Sequence, residues 1–279
     1  MRGVVKHRVC FAYFRFGLLA VPALKCAARP PFRQPGFGLP NATNSASLTD
    51  NRADRIRSAI VVMPAYNECR SVSASVSAAL TWFREVVVVD DGSSDDTAEQ
   101  ARLAGALVIR HPVNLGQGAA LQTGFDWALE RGAAWVVTLD ADGQHDPRDA
   151  AALLDLAVAQ GAEVGLGSRF MGKAEGMPTS RWLLLKCALA FQNATAGIRL
   201  TDVHNGLRVL SAQALRQVHI TQDRMAHASE LVSQLGKCGL KVVEGPVTIR
   251  YTEYSLSKGQ SSFGALQILL DLLMARLGR

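Results

Sequence analysis

The sequence predicts an α/β fold: a mainly parallel sheet flanked by helices, forming a single domain behind a disordered leader. Three observations lead there. From Ala59 onward, short apolar runs alternate with stretches of helical composition, the pattern of strands joined by crossover helices. The segments that close the apolar runs are polar and glycine-bearing, which gathers ligand-binding groups at the C-terminal ends of the strands. Residues 1–58 carry ten Lys/Arg against two Asp, whereas 59–279 carry 20 basic and 22 acidic side chains. The formal charge of +6 therefore belongs to the leader. No basic stripe with interleaved aromatics follows it, which excludes nucleic-acid binding as a working hypothesis.

The leader begins with Val9 to Leu24, apolar but interrupted by Arg15 and Pro22 and shorter than the ~20 residues of a spanning helix. Arg2, Lys6 and Arg8 ahead of it, with Ala27 and Ala28 behind, imitate a signal peptide. Two other readings are preferred: a peripheral anchor, or a start codon placed too far upstream. Pro30 to Arg57 lacks apolar periodicity and reads as a disordered linker. The five cysteines, at 10, 26, 69, 187 and 238, form no Cys-x-x-Cys. They read as reduced thiols of a cytoplasmic protein without a zinc site.

Each element of the domain (59–262) follows in order. Ala59 to Met63 is a strand ended by Pro64, and Pro64 to Glu68 (PAYNE) leads into a Ser/Ala-rich helix to about Trp82. Val86 to Val89 is a second strand running into the acidic loop Asp90 to Thr97, which caps a helix to about Ala104. Leu107 to Ile109 is a third strand. Asn114 to Gly118 is a glycine-bearing turn before a helix from Ala119 to Glu130. Trp135 to Pro147 (WVVTLDADGQHDP) then reads as a buried strand opening into Asp140, Ala141, Asp142, Gly143 and Gln144.

Beyond it, Leu153 to Ala159 is helical, Glu163 to Leu166 is a strand ending in Gly167, Ser168 and Arg169, and Lys173 to Pro178 reads as a mobile loop. Arg181 to Ala194 is an apolar helix, Asp202 to Arg208 (DVHNGLR) a polar turn, and Glu230 to Gly236 a helix. Val242 to Tyr251 supplies one or two extended segments. A Ser/Lys/Gly loop, Ser255 to Ser262, precedes an amphipathic C-terminal helix, Phe263 to Leu277, which either lies in a membrane interface or packs on the domain.

The chemistry centres on Asp140 and Asp142. Strand alternation would send both carboxylates to one side, and the small Ala141 would let a ligand lie against the backbone. Close carboxylates repel unless a cation sits between them or one takes up a proton. Mg²⁺ keeps one or two protein carboxylates and completes its shell with phosphate oxygens and water, so a diphosphate-bound ion fits, with Gln144 as a neutral third ligand. The bland alternative is that the acids solvate a strand end or cap the next helix.

Taken together and in order, PAYNE, VVVVDDGSSDDT, NLGQGAALQTGF, LDADGQHDP, GSRF, DVHNGLR and SKGQS resemble the family 2 glycosyltransferases of GT-A fold. The branch they resemble most is that of the polyprenyl- or dolichol-phosphate mannosyl- and glucosyltransferases. The likeness covers residues 59 to about 265. It implies that Pro64, Tyr66 and Glu68 frame the base and ribose of a nucleotide sugar, and that Asp91, with the backbone near Val89, takes the base edge. It implies that Asp140, Ala141, Asp142 and Gln144 hold Mg²⁺ or Mn²⁺ and the donor diphosphate. Arg169 would reach the diphosphate or sugar, and Lys258 would close over it.

Two departures are visible: relatives commonly carry an arginine a few residues before that lysine, where this chain has Tyr251, Thr252, Glu253 and Tyr254, and many relatives continue into membrane-spanning helices, whereas this sequence stops at Arg279. The implied activity is inverting transfer of a hexose from a UDP- or GDP-sugar to a lipid phosphate, with Asp142 and Arg169 at the reacting bond. Arg181, opening an apolar helix, is a candidate partner for the acceptor phosphate. A hydroxyl acceptor would instead need a base, for which Glu230 and Asp202 are candidates. Duller roles stand beside these: Glu68 as a helix cap, Arg169 in an ion pair, Glu230 lining a helix. Competing functions are a nucleotidyltransferase, which would carry a glycine-rich loop and a cation after the first strand where PAYNE stands, and a non-catalytic nucleotide- or lipid-phosphate-sensing domain.

Overall fold

The computed structural model describes residues 52–56, 58–195, 199–203, 205–222 and 226–251, all within one compact unit, Thr43–Arg279. Most of the leader, the loop bearing Lys258 and the helix expected over Phe263 to Leu277 lie outside the described residues. Residues 52–56 are already helical, upstream of the expected boundary at 58/59. Ile56 is buried in the core and Arg52 pairs with Asp155 at 2.6 Å.

Seven strands form one sheet: β1 (Ile60–Ala65), β2 (Glu85–Asp90), β3 (Leu107–Arg110), β4 (Trp135–Thr138), β5 (Val164–Glu175), β6 (Arg208–Ser211) and β7 (Val242–Arg250). Their spatial order is β3-β2-β1-β4-β6-β5-β7. The pairs β1–β2, β1–β4, β2–β3 and β5–β7 are parallel, while β6 runs antiparallel to both β4 and β5. The sheet is therefore mixed, mainly parallel as expected, with one reversed strand beside the carboxylate motif.

The helices are α1 (Val72–Leu80), α2 (Thr97–Leu103), α3 (Gln117–Glu130), α4 (Pro147–Ala159), α5 (Thr179–Thr195), the single turn α6 (Ala212–Leu215) and α7 (Ala226–Cys238). Strand alternation sorts the core into two layers. Val61, Met63, Val88 and Val137 pack with Val72, Val76, Ala101 and Leu154 of α1, α2 and α4. Ile60, Val62, Val87 and Val136 pack with Leu121, Phe125, Leu231 and Leu235 of α3 and α7. Helix α3 lies so close to β1 that a Cβ on Gly124 would stand 2.2 Å from Val62 Cγ1.

Three elements differ from expectation. Strand β6 was not expected: the polar turn Asp202 to Arg208 leads straight into it, and its four residues, RVLS, gain their order from partners on two other strands. The loop expected from Lys173 is still strand at its start: after an irregularity beyond Ser168, Lys173, Ala174 and Glu175 pair with Thr248, Ile249 and Arg250. Helix α4 starts at Pro147 rather than Leu153, because Asp146 accepts from the Arg148 amide at 3.0 Å and Pro147 occupies the first helical position. Pro246 sits in β7 opposite Ser168, at that irregularity.

Candidate active site

Three loops at the C-terminal edge of the parallel strands build the site. After β1, Asn67 adopts a left-handed φ of 54°, a conformation its short polar side chain tolerates. Its amide donates to Ser93 Oγ at 2.9 Å, and its side-chain oxygen accepts from the Ser94 amide at 2.9 Å. The PAYNE loop and the acidic loop after β2 are thereby stitched together. Pro64 and Val89 are buried, paired across β1 and β2, and set the backbone beneath this loop. Tyr66 stands out from it, 47% exposed. Glu68 accepts from Ser71 Oγ at 2.7 Å and its carbonyl receives the amides of Ser71 and Val72. It holds the start of α1, the capping role weighed beside nucleotide binding.

Asp91 is buried and heavily committed. Its Oδ1 meets His111 Nδ1 at 2.8 Å and accepts from the Leu115 amide at 2.9 Å, and its Oδ2 accepts from the Gly116 amide at 2.7 Å. In this conformation the carboxylate fastens the turn ahead of α3. Asp90 likewise faces inward, paired with Arg110 at 3.1 Å.

The acid pair after β4 has a different environment. The strand ends at Thr138, so Asp140 and Asp142 are brought together by a turn over residues 141–143, with Gly143 at a φ of 75°, and not by strand alternation. Ala141 is buried among core residues, its carbonyl accepting from Ser75 Oγ at 3.0 Å, so its small size serves packing beneath the turn. Asp140 keeps a side chain 31% exposed; its Oδ1 accepts from Gln117 Nε2 at 3.2 Å and its Oδ2 meets His145 Nε2 at 3.0 Å. Asp142 accepts from the Gln144 amide at 3.0 Å and from the Gln144 side chain.

The two acids are electrostatically split. Burial works against ionisation of Asp140, but the His145 hydrogen bond and the charges of His145, Arg208 and His227 hold its carboxyl below the ordinary range. Asp142 is pushed up to about 6, first by burial and then by the neighbouring Asp140 charge. The repulsion within such a pair is relieved by a cation between the carboxylates or by a proton on one of them. Among the described residues no three His, Cys, Asp or Glu side chains cluster as a closed metal site. Two carboxylates and an amide beside open space fit an ion that takes its remaining ligands from phosphate and water. A cleft of about 470 Å³ borders the turn, lined by Ser75, Leu139, Asp140, Gly143, His145 and Arg250 among others. None of Tyr66, Asp91, Asp142, Gln144 or Arg169 lines it, so it flanks the motif on the α1 side and meets the acid pair only at Asp140.

Arg169 is brought to the same edge but is tightly held. Its Nε donates to Asp202 Oδ2 at 2.6 Å and its Nη1 to Tyr251 Oη at 2.6 Å. Burial disfavours the charged guanidinium, yet Asp202 and Tyr251 together raise its pKa above the ordinary arginine value. Asp202 also accepts from the Arg169 amide at 3.1 Å, which commits this candidate base. Glu230, on α7, accepts from the amides of Thr221 and Gln222 at 3.0 and 2.8 Å and from Thr221 Oγ1 at 2.5 Å, holding the segment ahead of that helix. Arg181 lies in the first turn of α5, and Lys258 lies outside the described residues.

Sequence reasoning passed over four residues that complete the site: Gln117, His145, Gly206 and Arg208. Each stands inside a quoted motif, and what was missing was the long-range contact. A Cβ on Gly206 would lie 2.1 Å from Asp140 Oδ2, so only glycine lets the DVHNGLR turn back the carboxylate so closely. Thr138 Oγ1 ties the turn down, donating to the Gly206 carbonyl at 2.6 Å and accepting from the Arg208 amide at 3.1 Å.

Comparison with known proteins identifies the family and the fold. A polyprenol monophosphomannose synthase of Mycolicibacterium smegmatis is 32% identical over 216 residues, covering 73% of this chain and 81% of that protein. A UDP-N-acetylglucosamine–dolichyl-phosphate N-acetylglucosaminyltransferase of Methanococcus voltae is 30% identical over 242 residues, covering 78% and 96%. The fold matches the crystal structure of glucosyl-3-phosphoglycerate synthase from Mycobacterium tuberculosis in complex with Mn²⁺ and UDP-glucose. That match has a TM-score of 0.61 at 20% identity, over 87% of this chain and 84% of that one. The profile of Glycosyl transferase family 2 spans residues 60–218, and with the ordered motifs and the GT-A architecture already in place, the chain belongs to glycosyltransferase family 2.

Proposed function

We propose that this glycosyltransferase is metal-dependent and inverting, and moves a hexose from a UDP- or GDP-sugar to a polyprenyl phosphate. The observation that carries the reading is the split acid pair Asp140 and Asp142, set at the strand edge beside the Arg169–Asp202 pair. The acceptor class is supported by the relatives, among them an undecaprenyl-phosphate mannosyltransferase of Micrococcus luteus. Mn²⁺ and UDP-glucose in the structural neighbour support the donor and cofactor class.

The chemistry follows from charge. A phosphate oxygen of the acceptor attacks C1 of the hexose, the bond from C1 to the nucleoside diphosphate breaks, and the configuration at C1 inverts. Asp140, Asp142 and Gln144 would hold Mg²⁺ or Mn²⁺, and such an ion would supply electrophilic relief to the leaving diphosphate. Tyr66 offers an exposed ring to the base. An acceptor phosphate is already anionic and needs no base. The hydrogen-bonded state of Asp202 and Glu230 favours such an acceptor over a hydroxyl. Arg181, Arg169 and Lys258 supply the cationic groups for the acceptor and donor phosphates. Among the described residues no helix is long and apolar enough to cross a membrane; a peripheral contact with the lipid surface would bring the acceptor to the site.

The test is a panel of UDP- and GDP-hexoses with Mn²⁺ or Mg²⁺ and a short-chain polyprenyl phosphate. One donor should give a lipid-linked sugar of inverted configuration. Absence of both nucleotide-sugar binding and transfer across the panel would overturn the reading.

A further inference from the structure

Arg208 opens β6, directly opposite Thr138 and therefore two residues ahead of Asp140 in the register of β4. It is 3% exposed. Its backbone amide is used by Thr138, but among the described residues its guanidinium makes no hydrogen bond or ion pair. A buried guanidinium ordinarily has a carboxylate partner at hydrogen-bond distance, because desolvating an unpaired charge is costly. Here Asp140 and Asp202 are near enough to act on it by charge, yet their bonds run elsewhere, to Gln117 and His145 and to Arg169. Among the described residues the same turn also buries Asn205 Nδ2 without a hydrogen-bond partner. Arg169 presents the opposite case, its charge offset by Asp202 at 2.6 Å.

We propose that Arg208 is a positioning residue: a fixed, buried counter-charge that acts from behind Asp140 on the donor's diphosphate without touching it. This rests on the glycosyltransferase reading of the site. A cation held rigidly where water is excluded keeps its field and needs no reorganisation as charge develops on the departing phosphate. The backbone supplies the rigidity, since Thr138 pins both Gly206 and Arg208 and the missing Cβ at residue 206 brings the turn against Asp140. Asp140 and Asp202 make the buried charge tolerable in the absence of donor. Arrival of a diphosphate adds the negative charge that the arrangement lacks.

The sign of the effect separates this role from a scaffolding one. Loss of a neighbouring positive charge leaves Mn²⁺ affinity in the absence of nucleotide unchanged or makes it tighter. The same loss weakens the binding of UDP or GDP with Mn²⁺ and slows transfer.

The experiment compares the full chain with Arg208→Met and Arg208→Lys, measuring Mn²⁺ binding alone, UDP and GDP binding with Mn²⁺, and kcat. For Arg208→Met, losses of about tenfold or more in nucleotide affinity and in kcat are expected, with Mn²⁺ affinity maintained or increased. Arg208→Lys should recover most of both losses. Arg208→Gln carries the same expectation as Arg208→Met if the latter fails to fold. Wild-type nucleotide affinity and kcat in the neutral variants, or equal loss of Mn²⁺ and nucleotide affinity, would overturn the proposal. Failure of the unaltered protein to bind UDP or GDP would instead overturn the donor reading on which the proposal rests.

Discussion

The chain carries two adjacent-acid motifs at strand ends, and they have opposite environments. Asp90 and Asp91 follow β2 and are buried; between them they receive the amides of Ser93, Leu115 and Gly116, the His111 ring and the Arg110 guanidinium. Asp140 and Asp142 follow β4 and are only partly shielded from solvent, and burial together with the neighbouring Asp140 charge pushes Asp142 up to about 6. The first pair resolves its charge inside the protein, and the second leaves it for something else to resolve. Acidic residues at the mouth of a strand therefore point to a ligand when, as at Asp142, burial and a like charge leave the ionised form disfavoured despite its hydrogen bonds.

The largest expected effect comes from breaking the second pair. Asp140→Ala should lower kcat by about a thousandfold or more, because it removes a proposed metal ligand and the group that Gln117, His145 and Gly206 jointly position. Gly206→Ala should approach the same loss with every ligand still present, since its new methyl would occupy the space of the Asp140 carboxylate. Steady-state transfer with saturating metal checks both. A Gly206→Ala enzyme of wild-type rate would show that the turn does not hold Asp140.

Breaking the first pair should cost stability. Asp91→Ala leaves the Leu115 and Gly116 amides and the His111 ring without their acceptor in a buried place. The expected loss is about 3 kcal/mol of unfolding free energy, read from urea denaturation. If Asp91→Ala keeps wild-type stability and instead loses nucleotide affinity, the acid serves the base edge and the contrast between the two pairs is wrong.

This contrast marks what the sequence disclosed. Strands β1, β2 and β4 were legible because a strand buried on both faces must be apolar throughout, and EVVVV and WVVT can be little else. Strand β6 and the later half of β5 were not, because RVLS and KAE are ordinary surface-length segments that become strands only through register with distant partners. The Asp-Ala-Asp stretch stood out by its composition, although the turn that brings its acids together did not. Arg208 and Gly206 did not, because their significance is their distance from Asp140, which lies some 66 positions away in the chain for Gly206. The same blindness covered Asp91, Asp202 and Glu230, whose acid character was evident and whose partners were not.

A pH titration sharpens the comparison further. The folded pKa of Asp142, about 6, lies above its ordinary 3.8, so the fold favours the protonated form. In metal-free protein the contribution of this group to stability is fully present below the unfolded value and is lost as pH rises through about 6. Asp142→Asn should remove that dependence and raise the metal-free Tm at neutral pH. Mn²⁺ binding requires the ionised form, so the Tm increase it produces should be larger at about pH 8 than at about pH 5 in the unaltered protein. A metal-induced shift that does not vary between those conditions would mean that Asp142 is not a ligand.

The smallest expected change concerns Glu230, which decides between acceptor classes. Its carboxylate holds the Thr221 and Gln222 amides and draws in Gln234 Nε2 at 3.3 Å. Glu230→Gln keeps the shape and one acceptor oxygen while removing the capacity to take a proton. With a polyprenyl phosphate as acceptor no proton needs to be removed, so kcat should fall by less than about threefold, with a loss of about 1 kcal/mol in stability. Were the acceptor a hydroxyl and Glu230 its base, the same change would cost about a hundredfold or more in kcat and would flatten the acid limb of the pH–rate profile. Because Asp202, the other candidate base, is held by Arg169, it does not stand ready to substitute for Glu230. A small effect at Glu230 therefore argues for an acceptor that arrives already charged.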